Sequence, residues 1–185
     1  FRKCFPSLDH QVLKTQLRRV IRCRRTLALM DAVVDGSNRQ EPAEWHFEGD
    51  DLWTPYERRH GLPLGNQTSQ FFANVYLDPL DHFIKETLRC GHYARYVDDL
   101  ALFSRSKEEL RNWHCRVEEE SHLLRLRLHP AKSRIFRCDE GVTFLGVRFW
   151  PRRRRLAAEN ARRVERRMRR LIGAWRRGDI AEEAL

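Results

Sequence analysis

Two adjacent carboxylates, Asp98 and Asp99, stand between short apolar runs, Tyr93 to Val97 and Leu100 to Phe103. Aspartate suits turns, so a lone Asp-Asp pair carries little information. Here the length of the runs and their Tyr, Val, Leu and Phe content predict a β-hairpin, whose turn would project both carboxylates from a buried sheet. Hard oxygen donors gathered this way suit Mg²⁺, with Mn²⁺ as an alternative ion. Two such ions about 3.5–4 Å apart can activate a hydroxyl nucleophile and stabilise a leaving pyrophosphate. Adjacent carboxylates near a core are costly without a cation, which argues against a site kept for no purpose.

Helices are expected to hold this hairpin in place. Ser7 and Asp9 are capping types ahead of Val12, Leu13, Leu17, Val20 and Ile21, which recur at helical spacing. A second helical stretch is predicted over Thr26 to Val34, ending at the turn residues Asp35-Gly36-Ser37-Asn38. Residues 37 to 60 read as a polar loop or small hairpin anchored by Trp45, Phe47 and Trp53. The Gly61 to Asn66 stretch shapes a backbone loop. A helix follows from Thr68 or Ser69, burying Phe72, Val75, Tyr76, Leu80, Phe83 and Ile84, with Pro79 as a kink or a new start. After the hairpin, Lys107 to Leu124 is an amphipathic helix, residues 126 to 138 a loop and strand, and Val142 to Trp150 a strand interrupted by Gly146. Pro151 and the four Arg at 152 to 155 punctuate the chain, and from there to Trp175 the pattern predicts one helix, with Ala161, Val164, Met168, Leu171 and Trp175 facing inward.

Charge separates the last stretch from the rest. The chain of 185 residues carries a net charge of +10, and residues 152 to 177 alone hold twelve Arg against two Glu. Elsewhere acidic and basic side chains balance. Twelve Arg without a Lys favours phosphate recognition over a merely solvated face, because the guanidinium forks phosphate oxygens in bidentate fashion. The composition changes at Pro151, the expected domain boundary. The five cysteines are scattered and form no CxxC, so reduced thiols in a cytoplasmic protein are expected rather than a disulfide framework or a zinc site. No apolar run approaches the roughly 18–20 residues of a membrane span. The opening Phe1-Arg2-Lys3-Cys4-Phe5-Pro6 reads as the middle of a structured element, as in a fragment.

In this setting Tyr96-Val97-Asp98-Asp99 resembles the YxDD box of reverse transcriptases. Gly61-Leu62-Pro63-Leu64-Gly65-Asn66-Gln67-Thr68-Ser69-Gln70 is similar to the family's loop and helix beneath the nascent base pair. Leu128-His129-Pro130-Ala131-Lys132-Ser133 looks like the next motif, and Phe144-Leu145-Gly146 like the primer-grip hairpin. The start, Phe1 to His10, resembles the stretch just after the family's first catalytic Asp. The order of these boxes implies an α+β fold, a polymerase palm with an antiparallel sheet backed by helices over residues 1–150, and the start of a helical thumb over 151–185.

The resemblance also implies roles. Asp98 would be the principal metal ligand, with Asp99 beside the metals and primer end. Phe5 would be the steric gate against a ribose 2′-hydroxyl. Leu64 and Gly65 would line the floor under the nucleotide, and Lys132 would face the triphosphate. Arg163, Arg166 and Arg170 would meet nucleic acid. The implied partners are an RNA template, a DNA primer and dNTPs, with an accessory protein as a further one. The first catalytic Asp would stand immediately before Phe1; it and the fingers are absent, so this chain alone is not expected to polymerise. Without the resemblance, Phe5 reads as core, Leu64 as packing and Lys132 as a solvated loop residue. The apolar residue before Gly65 and the Ser69-Gln70 ending point to the diversity-generating retroelement branch. Group II intron, retron and antiphage-defence enzymes are its rivals, and a degenerate RNA-binding palm is the alternative of another class.

Overall fold

The computed structural model describes residues 1–37, 45–63 and 65–179. Its first compact unit, Phe1–Ile135, begins with a single helical turn, α1 (Cys4–Ser7), followed by α2 (His10–Val20) and α3 (Arg24–Asp35). Asp9 caps α2 as its residue type predicts, accepting from the backbone N–H groups of Gln11 at 2.8 Å and Val12 at 3.0 Å. Ser7 does not act as a cap; it sits within α1 and donates to the carbonyl of Lys3 at 2.7 Å. The segment after the undescribed residues 38–44 holds one short helix, α4 (Thr54–Glu57), and no hairpin among its described residues. Trp45 and Phe47 are half-buried under arginine side chains, whereas Trp53 is exposed and anchors nothing in the core.

The central helix α5 (Gln67–His82) buries Phe72, Ala73, Tyr76, Leu77 and Leu80. Each such side chain removed from water stabilises the fold by roughly 1.5–3 kcal/mol. The helix runs through Pro79 and then widens into a π turn over Phe83–Thr87. Tyr76 is fully buried, and its phenol is satisfied at both ends of its polarity. It donates to the carbonyl of Leu124 at 2.5 Å and accepts from the backbone N–H of Asp9 at 3.3 Å. One side chain thereby ties the α2 cap to the end of a later helix, α6 (Lys107–Leu123). That helix buries Trp113 and Val117 on the predicted side and is capped by Ser106. Between α5 and α6 lies the antiparallel hairpin β1 (His92–Tyr96) and β2 (Asp99–Phe103), as the apolar runs predict.

Residues 126–137 contain no strand; Pro130 and a turn closed by the Lys132 and Ser133 N–H groups on the His129 carbonyl interrupt any ladder. The second compact unit, Phe136–Leu185, is a three-stranded antiparallel sheet of β3 (Val142–Phe144), β4 (Val147–Trp150) and β5 (Arg153–Leu156), followed by α7 (Ala158–Arg176). Two expectations are corrected here. Val142 to Trp150 is a hairpin rather than one strand, because Leu145 and Gly146 take φ of 51° and 76° and turn the chain. Arg153 to Leu156, whose arginines the sequence offers only as a break before the helix, pairs with β4 across Pro151, so the arginine run opens with a strand.

The predicted inward stripe of α7 is also corrected. Val164, Met168 and Trp175 are about half exposed, Ala161 and Leu171 are partly covered, and no residue of the helix is buried. A helix of 19 residues is about 28 Å long, whereas a four-residue strand spans about 13 Å, so the small sheet cannot cover it.

Candidate active site

The β1–β2 turn consists of Val97 and Asp98 alone, with Tyr96 paired to Asp99 across it. Such two-residue connections favour Gly or Asn at the position that takes positive φ; here that position is Val97, at φ 55°. A β-branched residue in the left-handed region stores on the order of 1–3 kcal/mol of strain, and surrounding contacts must hold it there. The consequence is a turn that presents Asp98 half-buried and Asp99 exposed, beside the exposed ring of Tyr96.

The start of the chain lies against this turn. The backbone nitrogen of Phe1 is 3.4 Å from the carbonyl oxygen of Asp98. Burial pushes the Cys4 thiol up to about 12, and the negative charge of Asp98 adds to the effect. Cys4 is therefore an inert packing group beneath the carboxylate. Phe5 follows in α1, half-buried against the core.

The backbone of this segment is held by the loop that precedes α5. The N–H of Leu62 donates to the Phe5 carbonyl at 3.0 Å, that of Gly61 to Leu8 at 2.9 Å, and His60 Nδ1 lies 2.7 Å from the Pro6 carbonyl oxygen. Gly61 has φ 98°, and a Cβ there would come within 3.3 Å of the Pro6 oxygen, so this close approach requires glycine. Gly65 also has positive φ, 94°, but in open space, and it is exposed. Leu64 lies outside the described residues. Lys132 is exposed in its turn, and among the described residues no hydrogen bond or ion pair joins it to Asp98 or Asp99.

The carboxylates of Asp98 and Asp99 form a hard-oxygen donor pair on a solvent-accessible turn, which fits Mg²⁺ or Mn²⁺ as a partial ligand set. Among the described residues, no three His, Cys, Asp or Glu side chains gather closely enough to hold an ion without further ligands.

Residues 1–149 match the family described as reverse transcriptase (RNA-dependent DNA polymerase). The chain belongs to the reverse transcriptase family. No curated protein matches it. The mixed α and β elements accord with the palm of that family, and membership carries with it a nucleic-acid template and primer as substrates and nucleotidyl transfer as the reaction.

In this reverse transcriptase chain the first unit brings Phe5, the Gly61–Leu62 backbone, Asp98 and Asp99 into one neighbourhood. Within the second unit, Leu145 and Gly146 form the tip of the β3–β4 hairpin, with Phe144 half-buried beside it. The Gly146 carbonyl accepts from the Ala157 N–H at 2.9 Å and from Asn160 Nδ2 at 3.3 Å, which fastens the tip to the first turn of α7. Arg163, Arg166 and Arg170 are all exposed on α7.

Two groups escape the sequence reading. Asp81 of α5 holds Arg95 of β1 through two guanidinium nitrogens on one edge, Nη2 to Oδ2 and Nε to Oδ1 at 2.7 Å. Asp9 is fully buried, and beyond its capping bonds it pairs with Arg125 at 2.7 Å and Arg58 at 3.3 Å. Neither partnership has a periodic or motif signature, because the partners meet only in the folded chain.

Proposed function

We propose that this chain is the palm, residues 1–150, and the start of the thumb, residues 151–185, of a bacterial RNA-directed DNA polymerase that extends a primer on an RNA template by two-metal-ion chemistry. The observation that carries the proposal is the two-residue turn holding Asp98 next to the chain start. In the family's order of motifs a further Asp comes just before Phe1. With the Phe1 nitrogen 3.4 Å from the Asp98 carbonyl oxygen, a carboxylate at that place would reach the same turn. Asp98 and Asp99 would then hold Mg²⁺ or Mn²⁺ together with that residue. The bound ions would supply polarisation of the primer 3′-hydroxyl and neutralisation of the pyrophosphate charge.

The remaining roles belong to the chain itself. Phe5, fixed by the Leu62 bond, would fill the space beside the sugar C2′ and exclude a ribose hydroxyl. Gly65 and Leu64 would form the floor under the nucleotide, with no side chain at 65 to obstruct it. Lys132 would offset triphosphate charge or give a proton to pyrophosphate. The Phe144-Leu145-Gly146 tip would contact the primer, and Arg163, Arg166 and Arg170 the duplex backbone. Within the family, Leu64-Gly65 and Ser69-Gln70 favour the diversity-generating retroelement branch, in which an accessory protein would join the complex.

The test is primer extension by the parent protein on an RNA template with Mg²⁺ or Mn²⁺. Asp98→Asn is expected to abolish extension while leaving the melting temperature and template binding intact, since the residue sits on a partly exposed turn. Full extension by that variant would remove Asp98 from the chemistry, and a parent protein that binds template–primer but never extends it would favour a degenerate RNA-binding palm.

A further inference from the structure

The strained turn is held from one side by a chain of groups that the carboxylate motif does not include. Arg95 Nη1 donates to the carbonyl of Val97 at 3.0 Å and to Asn74 Oδ1 at 2.8 Å. Its other nitrogens grip Asp81, one of them Nε at 2.7 Å, and Tyr93 donates its hydroxyl to the same carboxylate at 2.5 Å. Asp81 and Asn74 are both on α5, the helix most deeply set in the core, so the anchor is rigid. The Arg95 side chain is only 12% exposed, and a guanidinium, which stays charged at that depth, is costly to bury without a matched partner. The Asp81 bond accordingly raises the Arg95 guanidinium further, against the opposing effect of burial.

Val97 is the residue in the left-handed region, and its carbonyl is the peptide oxygen immediately before Asp98. A donor fixed on that oxygen sets the orientation of the Val97–Asp98 peptide plane, and with it the direction in which the Asp98 side chain leaves the turn. We propose that Arg95, locked by Asp81, is a positioning residue that aims Asp98 by holding the Val97 carbonyl. This inference rests on Asp98 being a metal ligand, and it adds the reason why a β-branched residue can occupy a turn position that otherwise favours glycine.

A purely structural ion pair would stabilise the fold and leave the chemistry alone, so stability and catalysis must be read separately. In the parent protein, Arg95→Met keeps the aliphatic stem and removes every donor, while Asp81→Asn keeps the donor and loosens its anchor. The readouts are melting temperature, Mn²⁺ binding by electron paramagnetic resonance, and single-turnover extension against dNTP concentration, at a temperature where each variant is folded. The expected result for Arg95→Met is a fall in maximal rate on the order of 10²-fold, the usual consequence of misplacing a reacting group by about 1 Å. The dNTP concentration for half-maximal rate stays near that of the unaltered protein, and Mn²⁺ binds more weakly. Asp81→Asn falls between the two, and it carries the test if Arg95→Met does not fold. Wild-type extension rate and Mn²⁺ affinity in folded Arg95→Met or Asp81→Asn, with only the melting temperature lowered, would overturn the positioning role. Asp98→Asn, run alongside, separates the two ideas: if it extends primers and binds Mn²⁺ normally, the metal assignment fails whatever Arg95 does.

Discussion

The backbone N–H of Leu62 donates to the carbonyl of Phe5 at 3.0 Å, joining the loop before α5 to the segment that carries Phe5, the residue proposed as steric gate. The main chain of Phe5 is thus fixed independently of its side chain, which is half-buried against the core. Phe5→Ala in the parent protein should open the space beside the nucleotide sugar while the backbone stays in place. Discrimination between dNTP and rNTP is expected to fall by roughly 10²-fold, the scale of steric selection by a shaped apolar pocket. Stability should fall by about 2 kcal/mol, less than the 3–5 kcal/mol of a fully buried Phe. Competition between the two nucleotide types in a single extension reaction measures the first, and denaturant unfolding the second. Unchanged discrimination would return Phe5 to a packing role.

The buried Asp9 offers a sharper stability test. It caps α2 through Oδ1 and pairs through Oδ2 with Arg125 and Arg58, whose side chain is 8% exposed. Removing one partner of a buried pair leaves a charge uncompensated, at a cost of about 3–5 kcal/mol. Asp9→Ala should show that full loss in denaturant unfolding. Asp9→Asn retains an acceptor for the cap and should cost less, so the gap between the two variants reports the cap, worth about 1 kcal/mol. Equal, small losses would mean that Asp50, which also pairs with Arg58, holds the cluster without Asp9.

How much of this was legible in the sequence follows from how local each signal is. The Asp9 cap, the α6 face of Trp113 and Val117 and the β1–β2 hairpin depend on neighbours within a few positions, and reading residue types at their spacing recovers them. The resemblance placed a hairpin at Phe144-Leu145-Gly146, but the residue pattern alone read one strand there, because leucine is not a residue that signals positive φ; tethering of the Gly146 carbonyl by Ala157 and Asn160 sustains the turn. The strand at Arg153 to Leu156 was missed because an arginine run carries no β pattern, and backbone pairing with β4 decides it. The α7 stripe shows the limit from the other side: periodicity identified an apolar face, but whether anything covers it depends on surface elsewhere. At the candidate site, sequence order located Asp98 and Asp99, while Asp81 and Arg95 stand 14 positions apart and meet only through the fold.

His10 makes stability depend on pH. It is buried, its Nε2 lies 2.9 Å from the Gly61 carbonyl oxygen, and its Nδ1 has no hydrogen-bond partner among the described residues. Burial lowers its pKa below the ordinary 6.5, outweighing the Gly61 bond and the nearby Asp35 and Asp9, which favour the charged form; Arg59 opposes it. Below that ordinary value the unfolded chain takes up a proton that the folded chain refuses. The unfolded state then binds more protons, so the His10 contribution to stability declines as pH falls through about 6.5 and levels off below the folded pKa. The slope from one such group is at most about 1.4 kcal/mol per pH unit. His10→Gln can still donate to Gly61 and does not titrate. Its unfolding free energy should therefore lose this component between pH 7 and 5, as measured by urea unfolding at a series of pH values. An identical pH profile in the variant would show that His10 is not the source.

The last expectation concerns the arginines of α7. Arg162, Arg163, Arg166, Arg167, Arg169 and Arg170 are all exposed, and among them Arg169 is engaged with Glu165 at 2.7 Å along the helix. An exposed pair of this kind is worth only a few tenths of a kcal/mol, so Glu165 competes weakly with a phosphate. Contacts to a duplex backbone carry no base information, and binding through them should be tolerant of sequence and steep in salt. Each neutralised phosphate of B-form duplex releases condensed counterion with a log–log slope near −0.9. Replacing Arg163, Arg166 and Arg170 by Gln in the parent protein should weaken template–primer binding and flatten the slope by roughly one unit per lost contact. Because no residue of α7 is buried, the triple variant should keep its melting temperature, which separates lost contacts from lost fold. Fluorescence anisotropy of a labelled template–primer between low and moderate salt measures both quantities. Affinity and slope equal to those of the unaltered protein would mean that these three arginines only solvate the helix.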